Sequence, residues 1–67
     1  MVNLNFFEYD HLPIPLQYVS KAYYNMAHAL NSILPDGEEK QVALRKLLES
    51  KDAAIRARLE GLKNIDH

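Results

Sequence analysis

The order of apolar and polar residues divides the chain into three parts. Over residues 16–34, apolar side chains recur at intervals of three and four, which predicts an amphipathic helix. Residues 37–64 repeat this spacing and predict a second, longer helix. The apolar stripes consist of Leu16, Val19, Tyr23, Met26, Leu30, Ile33 and Leu34 in the first helix, and of Leu44, Leu48, Ile55, Leu59 and Leu62 in the second.

Prolines and acidic residues mark the boundaries of these helices. Pro15 suits the first turn of a helix, where its missing N–H is not needed, and Pro35 cannot continue the first helix. Asp36, followed three residues later by Glu39, is typical of a capping box that begins the second helix. Residues 1–15 are predicted to form an extended arm, in which strand-like alternation is brief.

Two helices joined by a short loop predict an all-α fold, an antiparallel hairpin within a single domain, 1–67. A chain of 67 residues buries little apolar surface, and without cysteine it has no disulfides to compensate. Many apolar positions lack cover in one hairpin, and the second helix also carries a face of small residues that allows close helix approach. We therefore expect a homo-oligomer. The small residues are Ala43, Ala53, Ala54 and Ala57.

Composition excludes several classes of function. The net charge of −1 argues against a general DNA or RNA binder. No apolar run reaches the length of a membrane span and no basic region precedes the apolar N-terminus, so we expect a soluble, cytoplasmic protein. His11, His28 and His67 are too scattered for a metal site. Without a glycine-rich loop or a plausible nucleophile, neither an enzyme nor a cofactor is expected.

Two cations on the second helix lie between its leucine stripe and its alanine face. Lys51 and Arg58 have no acidic residue one turn away. One interpretation is that their stems cover the apolar seam while the head groups reach water. The other is that they bind a phosphate between subunits, for which the planar guanidinium of Arg58 is well suited. Arg56 belongs instead to a face of i,i+4 ion pairs, predicted as Arg45–Glu49, Asp52–Arg56 and Arg56–Glu60.

The first helix and the arm offer a second group of candidates. A polar row on the helix contains Gln17, Lys21, Tyr24 and His28. A lysine beside a tyrosine can hold a phosphate and stack a base, although an ordinary solvent-facing row is the simpler interpretation. On the arm, Tyr9 is flanked by charge and is a candidate for stacking on a ligand, whereas Phe6 and Phe7 are candidates for the core.

The segments "FEYDHLP", "YYNMAHAL" and "LPDGEEKQVALRKLLESKDAAIRARL" together resemble the anti-CBASS sponges. These short phage proteins sequester the cyclic-oligonucleotide messengers of bacterial immunity, and they share their helical hairpin with the Thoeris-blocking sponges. The resemblance covers nearly the whole chain. Its most specific elements are the aromatic arm with His11, the "P-[DN]-x-x-E-K" loop and the "ALxKLxE" segment.

The resemblance implies a homohexamer that binds its ligands without cleaving them in the cytoplasm of an infected bacterial host. Cyclic dinucleotides such as cGAMP would lie between protomers, with Tyr9 stacking on a base and Lys21 meeting a phosphate. Cyclic trinucleotides would use a second pocket, in which an arginine of the second helix binds the phosphates. Comparison with the family favours Arg56, which follows an "AA-[IV]" step, whereas the arrangement of charges around the helix favours Arg58. The chain lacks the family's threonine near the helix-one lysine, which leaves Tyr24 or its neighbour Tyr23 in that place.

Two other functions compete with a nucleotide sponge. A structural or adaptor hairpin would bind another protein, with Lys51 and Arg58 pairing with acidic residues across the interface. A helix-turn-helix DNA binder is disfavoured by the net charge, by the length of the second helix and by the acidic residues on its exposed sector.

Overall fold

The computed structural model describes residues 1–64, and residues 65–67, which include His67, lie outside the described part. A 3₁₀ helix spans Leu4–Phe7 and is followed by two α-helices, α1 (Ile14–Ile33) and α2 (Glu38–Asn64). No strand occurs among the described residues. The predicted all-α hairpin is therefore confirmed for this part of the chain.

Helix α1 begins and ends at prolines. Pro13 is the N-cap, and its carbonyl accepts hydrogen bonds from the N–H groups of Leu16 and Gln17 at 2.9 and 3.2 Å. The helix therefore begins at Ile14, two residues before the predicted start, because Pro15 is tolerated within the first turn. At the other end Leu34 is extended, as expected for a residue that precedes a proline.

The loop between the helices is tied together by a lysine. Lys40 Nζ donates to the Asn31 carbonyl at 2.8 Å and to Asp36 Oδ1 at 3.0 Å. The Asp36 carboxylate thus accepts from a side chain of α2 instead of completing the predicted capping box. Gly37 has a φ of +154°, a backbone conformation that a residue with a Cβ rarely adopts.

The core joins all three segments of the chain. Phe7 from the arm, Ala27 from α1 and Leu44 from α2 are at most 1% exposed. Two residues of the predicted apolar stripe of α1, Met26 and Ile33, remain 53% and 73% exposed in the single chain. A small residue lets α2 approach closely at Ala27, so steric fit outweighs side-chain size there. Half-buried residues that pack around the core are Val2, Leu4, Tyr23, Tyr24, Leu30, Leu47 and Leu48.

The arm folds back over its own hairpin. Asn3 Oδ1 caps the 3₁₀ helix by accepting from the Asn5 N–H at 2.9 Å, and the Val2 N–H donates to Gln41 Oε1 on α2 at 2.7 Å. This helical turn replaces the brief strand-like alternation in the sequence. It turns Phe7 into the core and leaves the adjacent Phe6 59% exposed.

Much apolar surface stays uncovered in the single chain. The molecule measures 47 × 18 × 16 Å, and its accessible surface of 4952 Å² exceeds the roughly 4,300 Å² expected for a compact 7.7 kDa protein. An elongated hairpin has too little interior to bury its apolar residues. Exposed large apolar side chains are Met1, Phe6, Ile14, Tyr18, Met26, Ile33 and Leu59.

Ion pairing on α2 differs from the prediction. Within residues 1–63 the ion pairs closer than 4.0 Å are Lys40–Asp36 at 3.0 Å and Lys46–Glu49 at 3.7 Å. None of the i,i+4 pairs expected along the exposed face of α2 is among them. Arg56 is therefore an exposed cation without an ion-pair partner among the described residues.

Candidate functional site

An aromatic row links the arm to α1. The Tyr9 and Tyr24 ring centroids are 5.2 Å apart at an interplanar angle of 74°, and the Tyr24 and His28 centroids are 4.3 Å apart. Tyr24 and His28 are one turn apart on α1, so their side chains meet on one face. Tyr9 reaches this face because the turn that follows it is closed by the Leu12 N–H, which donates to the Tyr9 carbonyl at 3.0 Å.

Beside this row lies a cleft that brings together two of the predicted site residues. It has a volume of about 400 Å³ and is lined by Tyr9, Ile14, Gln17, Tyr18 and Lys21. The other four lie within the first two turns of α1, whereas Tyr9 comes from the arm. The structure therefore places an aromatic ring and an exposed ammonium on the walls of the same cleft.

Gln17 fixes the corner between arm and helix. Its Nε2 donates to the Leu12 carbonyl at 2.8 Å and to the Asp10 carbonyl at 3.4 Å. These carbonyls precede the helix and have no helical partner of their own. Sequence reasoning assigned Gln17 only to a polar row, because its partners depend on how the chain turns at Pro13.

Lys51 is buried instead of reaching solvent. The residue is 8% exposed, and its Nζ donates to the Phe6 carbonyl at 2.6 Å and lies 6.0 Å from the centroid of the Phe7 ring. Of the two interpretations of Lys51, the one in which its head group reaches water is therefore wrong. Lys51 on α2 thus binds the arm at Phe6, three residues before Tyr9, and helps to position the segment that contains Tyr9.

Arg58 also contacts the backbone near the arm, but from an exposed position. Its Nε donates to the Pro15 carbonyl at 3.3 Å. Both cations that lacked acidic neighbours in the sequence thus find carbonyl oxygens of the N-terminal segment. This arrangement explains their position beside the seam without an ionic partner.

A second cleft lies between the arm and α2. Its volume is about 320 Å³, and its lining residues are Leu12, Lys51, Asp52, Ile55 and Arg56. Arg56 and Lys51 thus line the same cleft, whereas Arg58 is not part of this lining. A third cleft of about 220 Å³ is bounded by Glu8, Tyr9, Asp10 and Tyr24.

Apart from Arg58, the predicted site residues therefore fall into three groups. Tyr9, Tyr24 and Lys21 lie together at the junction of arm and α1, and Lys51 and Arg56 share the cleft on α2. His11 is exposed in the bend between arm and helix and is not among the residues that line these clefts. The ligand-binding roles of all these residues stay predictions. The clefts beside Tyr9 are also lined by residues that the sequence did not single out for this site, namely Glu8, Asp10, Ile14 and Tyr18.

Other kinds of site find no support in the described part of the chain. Residues 1–64 hold no group of three or more histidine, cysteine or carboxylate side chains placed to bind a metal ion. Neither α1 nor α2, as described, has both the length and the apolar character needed to cross a bilayer. No protein-family model, curated protein or solved structure significantly matches the chain.

Proposed function

We propose that the protein is a cyclic-oligonucleotide sponge, which binds cyclic di- and trinucleotide messengers without cleaving them and so blocks bacterial CBASS immunity against phage. Its place of action would be the cytoplasm of the infected host. The observation that carries this proposal is the cleft shared by Tyr9 and Lys21. Tyr9 of the arm and Lys21 of α1, 12 residues apart in the chain, line the same cleft. One offers an aromatic ring and the other a positive charge.

The chemistry of the cleft suits a cyclic dinucleotide. A tyrosine ring can stack on any base, a contact worth roughly 1–3 kcal/mol per base, and an ammonium can hold a phosphate as a point charge. Cyclic dinucleotides carry two phosphates within a small sugar–phosphate ring and two bases attached to that ring, so one side chain of each kind can be engaged at once. Tyr18, which is 73% exposed, lines the same cleft and adds a second aromatic side chain to it.

Self-association would close this open cleft. Large apolar side chains on α1 that the described part of the chain leaves exposed include Ile14 and Tyr18, both of which line the cleft. Packing against a second hairpin would bury them and exclude water from a bound ligand, which strengthens its electrostatic contacts. We propose a homo-oligomer, with six copies as the resemblance implies.

The cleft on α2 is the candidate pocket for cyclic trinucleotides. Arg56 lines this cleft and has no ion-pair partner within residues 1–63, whereas Arg58 already donates to the Pro15 carbonyl. These contacts favour Arg56 as the phosphate-binding arginine. Lys51 would contribute positive charge to this cleft without contacting a phosphate directly, because its ammonium donates a hydrogen bond to the Phe6 carbonyl.

An adaptor hairpin is the second candidate, and the uncovered apolar side chains of α1 are the observation that favours it. In that case the exposed surface would dock a different protein, and the cleft beside Tyr9 would have no nucleotide ligand. The two functions differ in one property, since only a sponge binds cyclic nucleotides as a purified protein.

Two alanine substitutions in the cleft test the proposal, and a third substitution outside the cleft is the matched control. We expect Tyr9→Ala and Lys21→Ala to abolish dinucleotide binding in calorimetric titrations, because they remove the stacking ring and the phosphate partner. Lys46→Ala removes an equal charge from the exposed surface of α2 and should retain wild-type affinity. Sedimentation should show the same oligomer for all three variants. Wild-type affinity in both cleft variants would refute the pocket assignment.

A further inference from the structure

Tyr9 lines two clefts. One is the cleft that Lys21 also lines, and the other is the cleft of about 220 Å³ lined by Glu8, Tyr9, Asp10 and Tyr24. The rings of Tyr9 and Tyr24 meet edge to face at 5.2 Å, so the smaller cleft has two aromatic walls. A ligand that stacks on Tyr9 while its phosphate meets Lys21 can therefore reach the smaller cleft.

Two acidic residues also line this smaller cleft. Glu8 and Asp10 are exposed, and neither takes part in an ion pair within residues 1–63. Backbone contacts hold the segment that carries them, since the Glu8 N–H donates to the Asn5 carbonyl at 3.2 Å and the Asp10 carbonyl accepts from Gln17 Nε2 at 3.4 Å. The carboxylate oxygens thus remain available as acceptors beside a fixed aromatic wall.

Of the common bases, guanine best matches acceptors in this position. Its Watson–Crick edge presents the N1–H and the N2 amino group side by side, and a carboxylate can accept from both. Adenine presents the unprotonated N1 beside its single amino group, which would set a lone pair against a carboxylate. Charge-assisted hydrogen bonds of this kind are among the stronger ones, and a site built to make them rejects an analogue that cannot.

We propose that the cleft formed by Glu8, Asp10, Tyr9 and Tyr24 is a guanine-binding subsite, so that the protein prefers guanine-containing cyclic dinucleotides over all-adenine ones. This inference rests on the proposed function. The same carboxylates repel phosphates, which keeps the phosphates of the ligand on the Lys21 side of Tyr9. Charge is thus divided across the site, with base recognition on the acidic side and phosphate binding on the basic side.

Three cyclic dinucleotides of the same 3′,3′ linkage test the subsite by calorimetric titration. Cyclic di-GMP presents both guanine donors, cyclic di-IMP lacks the 2-amino group, and cyclic di-AMP lacks the donor pair. We expect cyclic di-GMP to bind roughly tenfold or more tightly than cyclic di-AMP, since a paired base contact is worth about 1–3 kcal/mol of discrimination. Cyclic di-IMP should lie between them.

A double variant, Glu8→Gln with Asp10→Asn, assigns the discrimination to the carboxylates. The double variant should bind cyclic di-GMP roughly tenfold more weakly than the wild type does, and should bind cyclic di-AMP as tightly as the wild type or more tightly. Glu60→Gln, which neutralises an exposed acid on α2, should leave both affinities unchanged. Equal wild-type affinity for the three ligands, or a parallel loss of both in the double variant, would overturn the guanine subsite and leave the sponge intact. If no cyclic nucleotide binds, the sponge and the subsite fall together.

Discussion

Replacing Lys51 with methionine would test whether this buried lysine fastens the arm. Methionine keeps most of the length and volume of the lysine stem but lacks the ammonium. The variant therefore loses the 2.6 Å hydrogen bond to the Phe6 carbonyl and the contact with the Phe7 ring, 6.0 Å away, while packing along α2 is largely retained.

Several contributions set the size of the effect. A hydrogen bond from a charged donor contributes roughly 1.5–3 kcal/mol, and a cation at 6.0 Å from a ring lies at the outer limit of attraction, worth about 0.5 kcal/mol. Removing a buried ammonium relieves its desolvation cost, which acts in the opposite direction. However, the Phe6 carbonyl stays in place without its donor. We therefore expect a net loss of about 2 kcal/mol, which lowers Tm by roughly 8–16 °C in a domain of this size.

The measurement is urea unfolding followed by far-UV circular dichroism, at one protein concentration because self-association adds to apparent stability. Lys46→Met is the matched control, since Lys46 lies on the same helix, is 72% exposed and is 3.7 Å from Glu49. An exposed pair of this kind should change the free energy of unfolding by less than about 0.5 kcal/mol. If Lys51→Met is as stable as this control, the arm is not held by the ammonium.

Two further pairs of variants test the core and the loop. Phe7→Ala should destabilise the fold by about 3–5 kcal/mol, close to the whole stability of a small domain, whereas Phe6→Ala, at an exposed position, should cost less than about 1 kcal/mol in the same urea assay. Similar losses of stability in both variants would contradict the position of the arm, which buries Phe7 and exposes Phe6. Gly37→Ala should lower Tm because its φ of +154° strains a residue with a Cβ, while Gly61→Ala, in helix α2 with open space around it, should raise stability by about 0.5–1 kcal/mol. A stabilised Gly37 variant would contradict the loop conformation.

The helices could be predicted because their signals are local. Apolar spacing and the prolines at positions 15 and 35 determine two helices and a turn without reference to distant residues. The core was harder to predict because it depends on fit between segments. Ala27 is buried while Met26 beside it is exposed, although hydrophobic pattern alone favours the larger side chain.

The candidate site was predictable only in part. Resemblance and local chemistry selected Tyr9 and Lys21, but their shared cleft depends on the arm folding back over the hairpin. That fold in turn involves Lys51 and a carbonyl 45 residues away, a contact that no periodicity reveals. The carboxylates of Glu8 and Asp10 appear in the sequence as ordinary charged residues, and only the position of Tyr24 gives them a common cleft.

The most direct test of the account is a calorimetric titration of the wild-type protein with cyclic dinucleotides and cyclic triadenylate, followed by recovery of the ligand after denaturation. The sponge predicts tight binding, release of chemically intact ligand, and a stoichiometry per chain that counts the pockets. Absence of binding to every ligand would contradict the account and leave the hairpin as a protein-binding module. Recovery of a cleaved product would contradict sequestration and indicate an enzyme.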